Sequence, residues 1–124
     1  MRIFKIRLFD RWARKEGISD KLLCQTAQEI EDGRFEANLG GNVYKKRIPL
    51  ESRGKRGGAR TIVAYRIVGK AFFIFGYAKN EKSNLSDEET KTAKTFTKEL
   101  LSYTDAQLDK LVADRKLIEV KHDE

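Results

Sequence analysis

Two strand-patterned runs, Arg60 to Val68 and Ala71 to Ala78, are joined by the tight connection Val68-Gly69-Lys70. So short a link permits only an antiparallel hairpin, because a parallel return needs a crossover of about a dozen residues. A third run, Val43 to Ile48, precedes them and is closed by the only proline, Pro49. Three successive strands commit the middle of the chain to a sheet. What flanks them is helical, so the class is α+β.

Arg2 to Ile6 alternate as a short strand. Phe4, Leu8 and Trp12, with Phe9 and Ala13 beside them, then recur at helical spacing. They predict a helix from about Leu8 to Lys15, ending at Gly17. Ser19 is a good N-cap for a second helix with Leu22, Leu23, Ala27 and Ile30 as its apolar stripe and Gly33 as its stop. Asn38-Leu39-Gly40-Gly41-Asn42 reads as a turn. Ser86-Asp87-Glu88-Glu89 has the capping-box pattern and opens a helix to about Leu101, with Ala93, Phe96, Leu100 and Leu101 facing inward. Thr104-Asp105-Ala106-Gln107 repeats the pattern for a short last helix to about Arg115. Leu117 to Glu124 is either a short strand or disordered. The expected fold is a small α+β domain with an antiparallel or mixed sheet of about four strands. Two helices precede the main strands, one follows them, and a further helix is added at the end. Residues 1–101 form the main domain and 102–124 a helical extension and tail.

The 124 residues fit one domain, and a hydrophobic content of 40% is ample for a core. No stretch nears the ~20 apolar residues of a membrane span, and the start has no signal-peptide core. The single cysteine, Cys24, excludes an internal disulfide and a Cys-rich zinc site; it lies beside the apolar stripe as a buried small hydrophobe or a reactive thiol. A reducing, cytoplasmic location is expected. One histidine, His122, argues against His-based catalysis or metal binding, and no cofactor or metal is expected.

The positive charge is concentrated. Between Tyr44 and Lys82 lie eleven basic and two acidic residues, a net +9, so the remainder of this +7 chain sums to −2. Such a field attracts polyanions; the alternative is a solubilising surface. Strand alternation puts Val43, Lys45 and Arg47 on one side of their strand and Tyr44, Lys46 and Ile48 on the other. In the next strand, Thr61, Val63, Tyr65 and Ile67 make the better core face, leaving Arg60, Ile62, Ala64 and Arg66 opposite. Lys45, Arg47, Arg60 and Arg66 then share a surface suited to phosphate. The loop Arg53-Gly54-Lys55-Arg56-Gly57-Gly58 is not a P-loop; it either drapes charge over a backbone or is plain loop.

The basic segment has no paired carboxylates, so acid–base work would fall to Lys, Arg or Tyr. RNA suits that set, because its 2′-OH is a built-in nucleophile. The protein must align it, move protons and stabilise the phosphorane.

Three stretches carry a resemblance: Tyr44-Lys45-Lys46-Arg47-Ile48; Gly54-Lys55-Arg56-Gly57-Gly58-Ala59-Arg60-Thr61-Ile62-Val63; and Phe73 to Leu85, with Lys79-Asn80-Glu81-Lys82-Ser83-Asn84. Together they resemble the RelE/ParE toxin superfamily, and within it the HigB-like RelE toxins of bacterial type II toxin–antitoxin modules, over about Arg2 to Leu101. The resemblance implies a metal-independent mRNA endonuclease (an endoribonuclease) that acts on the ribosome and leaves a cyclic phosphate. Its partners would be mRNA and a cognate antitoxin, expected to be a helix-turn-helix protein; the free toxin would be a monomer. By position, Lys45, Arg47, Arg60 and Lys79 are the catalytic candidates. Lys46, Lys55, Arg56, Arg66, Tyr77, Asn80 and Lys82 are candidates for RNA binding. The sequence departs from RelE at Leu85-Ser86-Asp87, which lacks the stacking tyrosine, and at Asn80, where RelE has arginine; the general acid is left unassigned. Tyr77 is either a substitute stacker or a strand aromatic. Two other functions fit the superfamily: gyrase inhibition without nuclease activity, as in the ParE branch, and non-catalytic nucleic-acid binding. The last helix, with Leu108, Leu111 and Val112, is read as packing on the domain, with an antitoxin dock as the alternative.

Overall fold

The computed structural model describes residues 1–50, 58–66, 69–78 and 84–122. The elements run β1 (Arg2–Ile6), α1 (Arg7–Glu16), α2 (Asp20–Glu31), β2 (Ala37–Gly40), β3 (Val43–Ile48), β4 (Ala59–Arg66), β5 (Lys70–Ala78), α3 (Asp87–Ser102), α4 (Asp105–Ala113) and β6 (Leu117–Glu119). The strands form one sheet in the order β2-β3-β4-β5-β1-β6. The α+β class is as expected, but the sheet has six strands rather than about four. β2 occupies part of the stretch read as a turn, and β6 pairs antiparallel with β1. β1 pairs parallel with β5, so the sheet is mixed.

Local chemistry accounts for the helix ends. The Ser19 hydroxyl accepts from the Leu22 amide. Both capping boxes form: Ser86 with Glu89, and Thr104 with Gln107. Each gives orphan amides at a helix start a partner.

The main core draws on both faces of the sheet: Phe9 of α1 with Leu23 and Ile30 of α2 cover one, and Leu100 of α3 with Leu108 of α4 cover part of the other, where alternation places Phe4 and Phe72. Phe4 stacks on Phe72 at 5.1 Å, and Phe9 packs against Phe73 at 5.2 Å between ring centroids. Burying each such ring contributes roughly 1.5–3 kcal/mol. Trp12 of α1 packs on β5 at Gly76, where a Cβ would run into its indole ring. Gly58, at φ 62°, lets β4 start directly against the Ile48 carbonyl.

A smaller cluster adds to the α3 face, where Ala93 of α3 meets Val43, Ile62 and Tyr77. The sequence pattern assigned Ile62 and Ala64 to an outward face, yet both are fully buried. The reason is α3, which covers the middle of that face and gives the sheet apolar neighbours on both sides. Two residues placed inward by periodicity turn out exposed: Leu8 is 64% exposed and Phe96 39%.

One buried ion pair belongs to the packed side. Lys5, only 7% exposed, reaches Asp10 at 2.7 Å and Asp20 at 3.2 Å. Asp10 also accepts from Arg14. Burial pushes the Asp10 carboxyl up, but the bonds from Lys5 and Arg14 outweigh it and hold it below the ordinary carboxylate range. No helix among the described residues is long and apolar enough to cross a membrane.

Candidate nucleic-acid interface

Register decides which cations meet. Arg47 of β3 pairs with Arg60 of β4, and Arg60 pairs with Tyr77 of β5. Lys45 pairs with Ile62, two residues along the same strands. Directly paired residues share a face, with Cβ atoms about 5 Å apart. Lys45, Arg47 and Arg60 therefore stand together on the face that carries α3, at the end nearest Pro49 and Gly58.

These cations are held. The Arg60 side chain is 13% exposed, and its Nε lies 3.6 Å from an Oε of Glu36. The same carboxylate accepts from the Arg47 backbone amide at 3.3 Å. The Lys45 ammonium donates to the Asn84 side-chain oxygen at 2.8 Å. Arg47 itself is exposed. The arrangement is two guanidinium groups and an ammonium, partly tied to fixed acceptors. That geometry suits an anion with several oxygens.

The other candidates divide. Lys46 points through the opposite side of β3 and pairs with Glu29 of α2 at 2.9 Å, so it is not on this face. Arg66 shares the parity of Arg60 but sits six residues along β4, about 20 Å away in an extended strand. There its guanidinium reaches the Leu101 carbonyl at 3.5 Å, beside Lys94 and Lys98. It does not join the Lys45–Arg47–Arg60 group. Tyr77 lies in the row with Arg60, but its ring is 4% exposed within the cluster under α3, so it is not presented for stacking on a base. Lys55, Arg56, Lys79, Asn80 and Lys82 lie outside the described residues. Cys24 is half-buried against the core, with its thiol 3.9 Å from the Lys121 carbonyl oxygen.

Glu36 and Asn84 were missed by sequence reasoning. Glu36 precedes a strand that composition disguised as a turn, so no register connected it to Arg60. Asn84 closes a run of polar residues in which nothing singles it out. Among the described residues, no group of three or more His, Cys, Asp or Glu side chains gathers as a metal site would require.

The family model described as "RelE toxin of RelE / RelB toxin-antitoxin system" matches residues 1–120. No curated protein sequence matches the chain.

Proposed function

The chain belongs to the RelE toxin family of toxin–antitoxin systems, and from that premise we propose that it is an endoribonuclease of the HigB-like branch, cutting messenger RNA on the translating ribosome. The observation that carries this reading is the paired Arg47 and Arg60 with Lys45 beside them on one end of a sheet face. A toxin of this family has a cognate antitoxin as its partner; here that partner is taken to be a helix-turn-helix protein, and the free toxin a cytoplasmic monomer.

The chemistry asks little of the protein beyond placement. The 2′-oxygen attacks the adjacent phosphorus, the bond to the 5′-oxygen breaks, and a 2′,3′-cyclic phosphate and a 5′-hydroxyl remain. One proton leaves the 2′-oxygen and one reaches the 5′-oxygen, so neither water nor a cofactor is consumed. Arg60, with Lys79, binds the scissile phosphate and stabilises the phosphorane. Lys45 and Arg47 add charge and take part in proton transfer. Glu36 is a positioning residue: it steadies the Arg60 guanidinium through a charge-assisted contact. DNA, lacking the 2′-OH, is not a substrate for this reaction.

The test is induction of the chain in cells without its antitoxin, followed by mapping of new mRNA 5′ ends. Cuts phased with the ribosomal reading frame, and growth arrest relieved by Arg60→Ala, are expected. Intact messages with an SOS response would instead place the chain with gyrase inhibitors, and unchanged toxicity of Arg60→Ala at equal expression would remove that residue from the site.

A further inference from the structure

α3 carries a row of positive charge that the cleavage chemistry does not use. Lys91, Lys94 and Lys98 recur at spacings of three and four, so they stand on one side of the helix over about 10 Å. All three are exposed, and among the described residues no carboxylate pairs with them. The middle charge has a fixed seat. The Lys94 stem lies across the turn between β2 and β3, where a Cβ at Gly41 would sit 3.7 Å from its Cγ.

At Lys94 the row opens on a hollow of about 440 Å³. Lys94 and Lys98 line it from the helix, and Arg66 lines it from the end of β4. The Leu101 carbonyl, 3.5 Å away, steadies the Arg66 guanidinium. Asn42, in the left-handed conformation at φ 65°, adds an amide side chain to the lining. No Asp or Glu belongs to the described lining, so three cations converge on one space with no acid to neutralise them.

The helix links this hollow to the Arg60 end of the same face. Lys45 binds Asn84 just before the Ser86 cap of α3, and Arg66 meets Leu101 near the last turn. The lysine row therefore leads from the Lys45–Arg47–Arg60 group toward Arg66, about 20 Å along β4. It bridges two cationic groups that the buried Ile62 and Ala64 separate on the sheet itself.

A protein segment would find little anchorage here. Leu101 is the one apolar side chain in the described lining, and the exposed Leu8 and Phe96 line a different hollow. No aromatic ring lines it either, so it offers bases nothing to stack on. Spaced cations without apolar or aromatic partners suit a chain of phosphates. In-line attack at Arg60 needs a strand freed from A-form geometry, so the RNA there is single. On the reading that the chain acts on RNA, we propose that Lys91, Lys94, Lys98 and Arg66 form a track for the phosphate backbone of one RNA strand. It holds nucleotides flanking the cleaved bond without reading their bases, and its existence does not depend on the cleavage step.

The experiment titrates the purified full chain into a fluorescein-labelled single-stranded RNA of about twelve nucleotides and reads anisotropy at several salt concentrations. Lys94→Gln/Lys98→Gln should weaken binding about 10-fold at low salt and flatten the slope of log affinity against log salt by ~1.4, two contacts at ~0.7 each. Arg66→Gln, on a different element, should flatten it by ~0.7 and tests the track even if the helix variant folds poorly. Lys94→Arg/Lys98→Arg should bind as wild type does, and Lys110→Gln/Lys116→Gln on α4 should stay within about 2-fold. Absence of RNA binding, equal losses in the α3 and α4 glutamine variants, or an unchanged salt slope would each overturn the proposal. So would a duplex RNA or an acidic peptide that binds more tightly than the single strand through the same lysines. Lysine-dependent binding by a chain that cuts no message in cells would overturn the nuclease reading and still support the track.

Discussion

Lys45 and Lys46 are neighbours on one strand with opposite surroundings. Lys45 stands beside Arg47 and Arg60 and reaches Asn84, whereas Lys46 is pinned to Glu29 of α2 on the packed side. The contrast extends to the two faces around them. On the packed face, charge is neutralised pair by pair and serves architecture. On the face of Arg47 and Arg60, cations gather beside the Glu36 carboxylate. Counting basic residues along the sequence treats the two lysines alike; alternation along β3 and the position of α2 separate them.

If this contrast is sound, substitutions on the packed face should cost stability, and those on the open face should cost activity. The largest stability effect is expected at Gly76, where an added methyl would run into the Trp12 indole. Gly76→Ala should lower stability by about 3 kcal/mol, read from urea unfolding. Asp10→Asn comes next, at about 2 kcal/mol, because it weakens the support of the buried Lys5 while Asp20 remains.

The acid dependence of the Asp10 pair has a definite sign. The folded carboxyl titrates below its unfolded value of about 3.9. Its stabilisation is therefore complete above that value and is lost as the pH falls through the lower, folded one. Melting curves of wild type and Asp10→Asn should differ most near neutrality and converge in acid. A constant gap down to strongly acidic pH would contradict the pairing.

On the open face, Glu36→Gln keeps the shape but removes the charge that steadies Arg60. The cleavage rate should fall about 10-fold, or ~1.4 kcal/mol, with little change in unfolding midpoint. A stability loss without a rate loss would make Glu36 a purely structural residue. The smallest effect belongs to Lys46→Ala, which removes a half-buried ion pair with Glu29 and should cost about 1 kcal/mol and no activity.

Much of the local structure was legible in the sequence. The capping boxes at Ser86 and Thr104 and the N-cap at Ser19 depend on residues within one helical turn, and each forms as read. The hairpin of β4 and β5 was equally local. What escaped depends on distant contacts. β2 is four residues long and shares its asparagine and glycines with a turn; pairing with β3 makes it a strand. The parallel pairing of β1 with β5 joins segments far apart in sequence. At the site, alternation correctly set Lys45 and Arg47 apart from Lys46. It could not show that Ile62, in the cluster with Ala93 of α3, and Ala64, in the main core, are fully buried between Arg60 and Arg66, which divides what parity alone presents as one surface.

The most direct test compares Arg60→Ala with Lys46→Ala in single-turnover cleavage of mRNA on programmed ribosomes, using purified protein. Arg60→Ala should slow cleavage by ~100-fold or more and leave the melting temperature nearly unchanged, while Lys46→Ala should stay within about 2-fold of wild type because its charge is committed to Glu29. Equal losses in the two variants, or a wild-type rate for Arg60→Ala, would contradict the assignment of the Lys45–Arg47–Arg60 face as the site of cleavage.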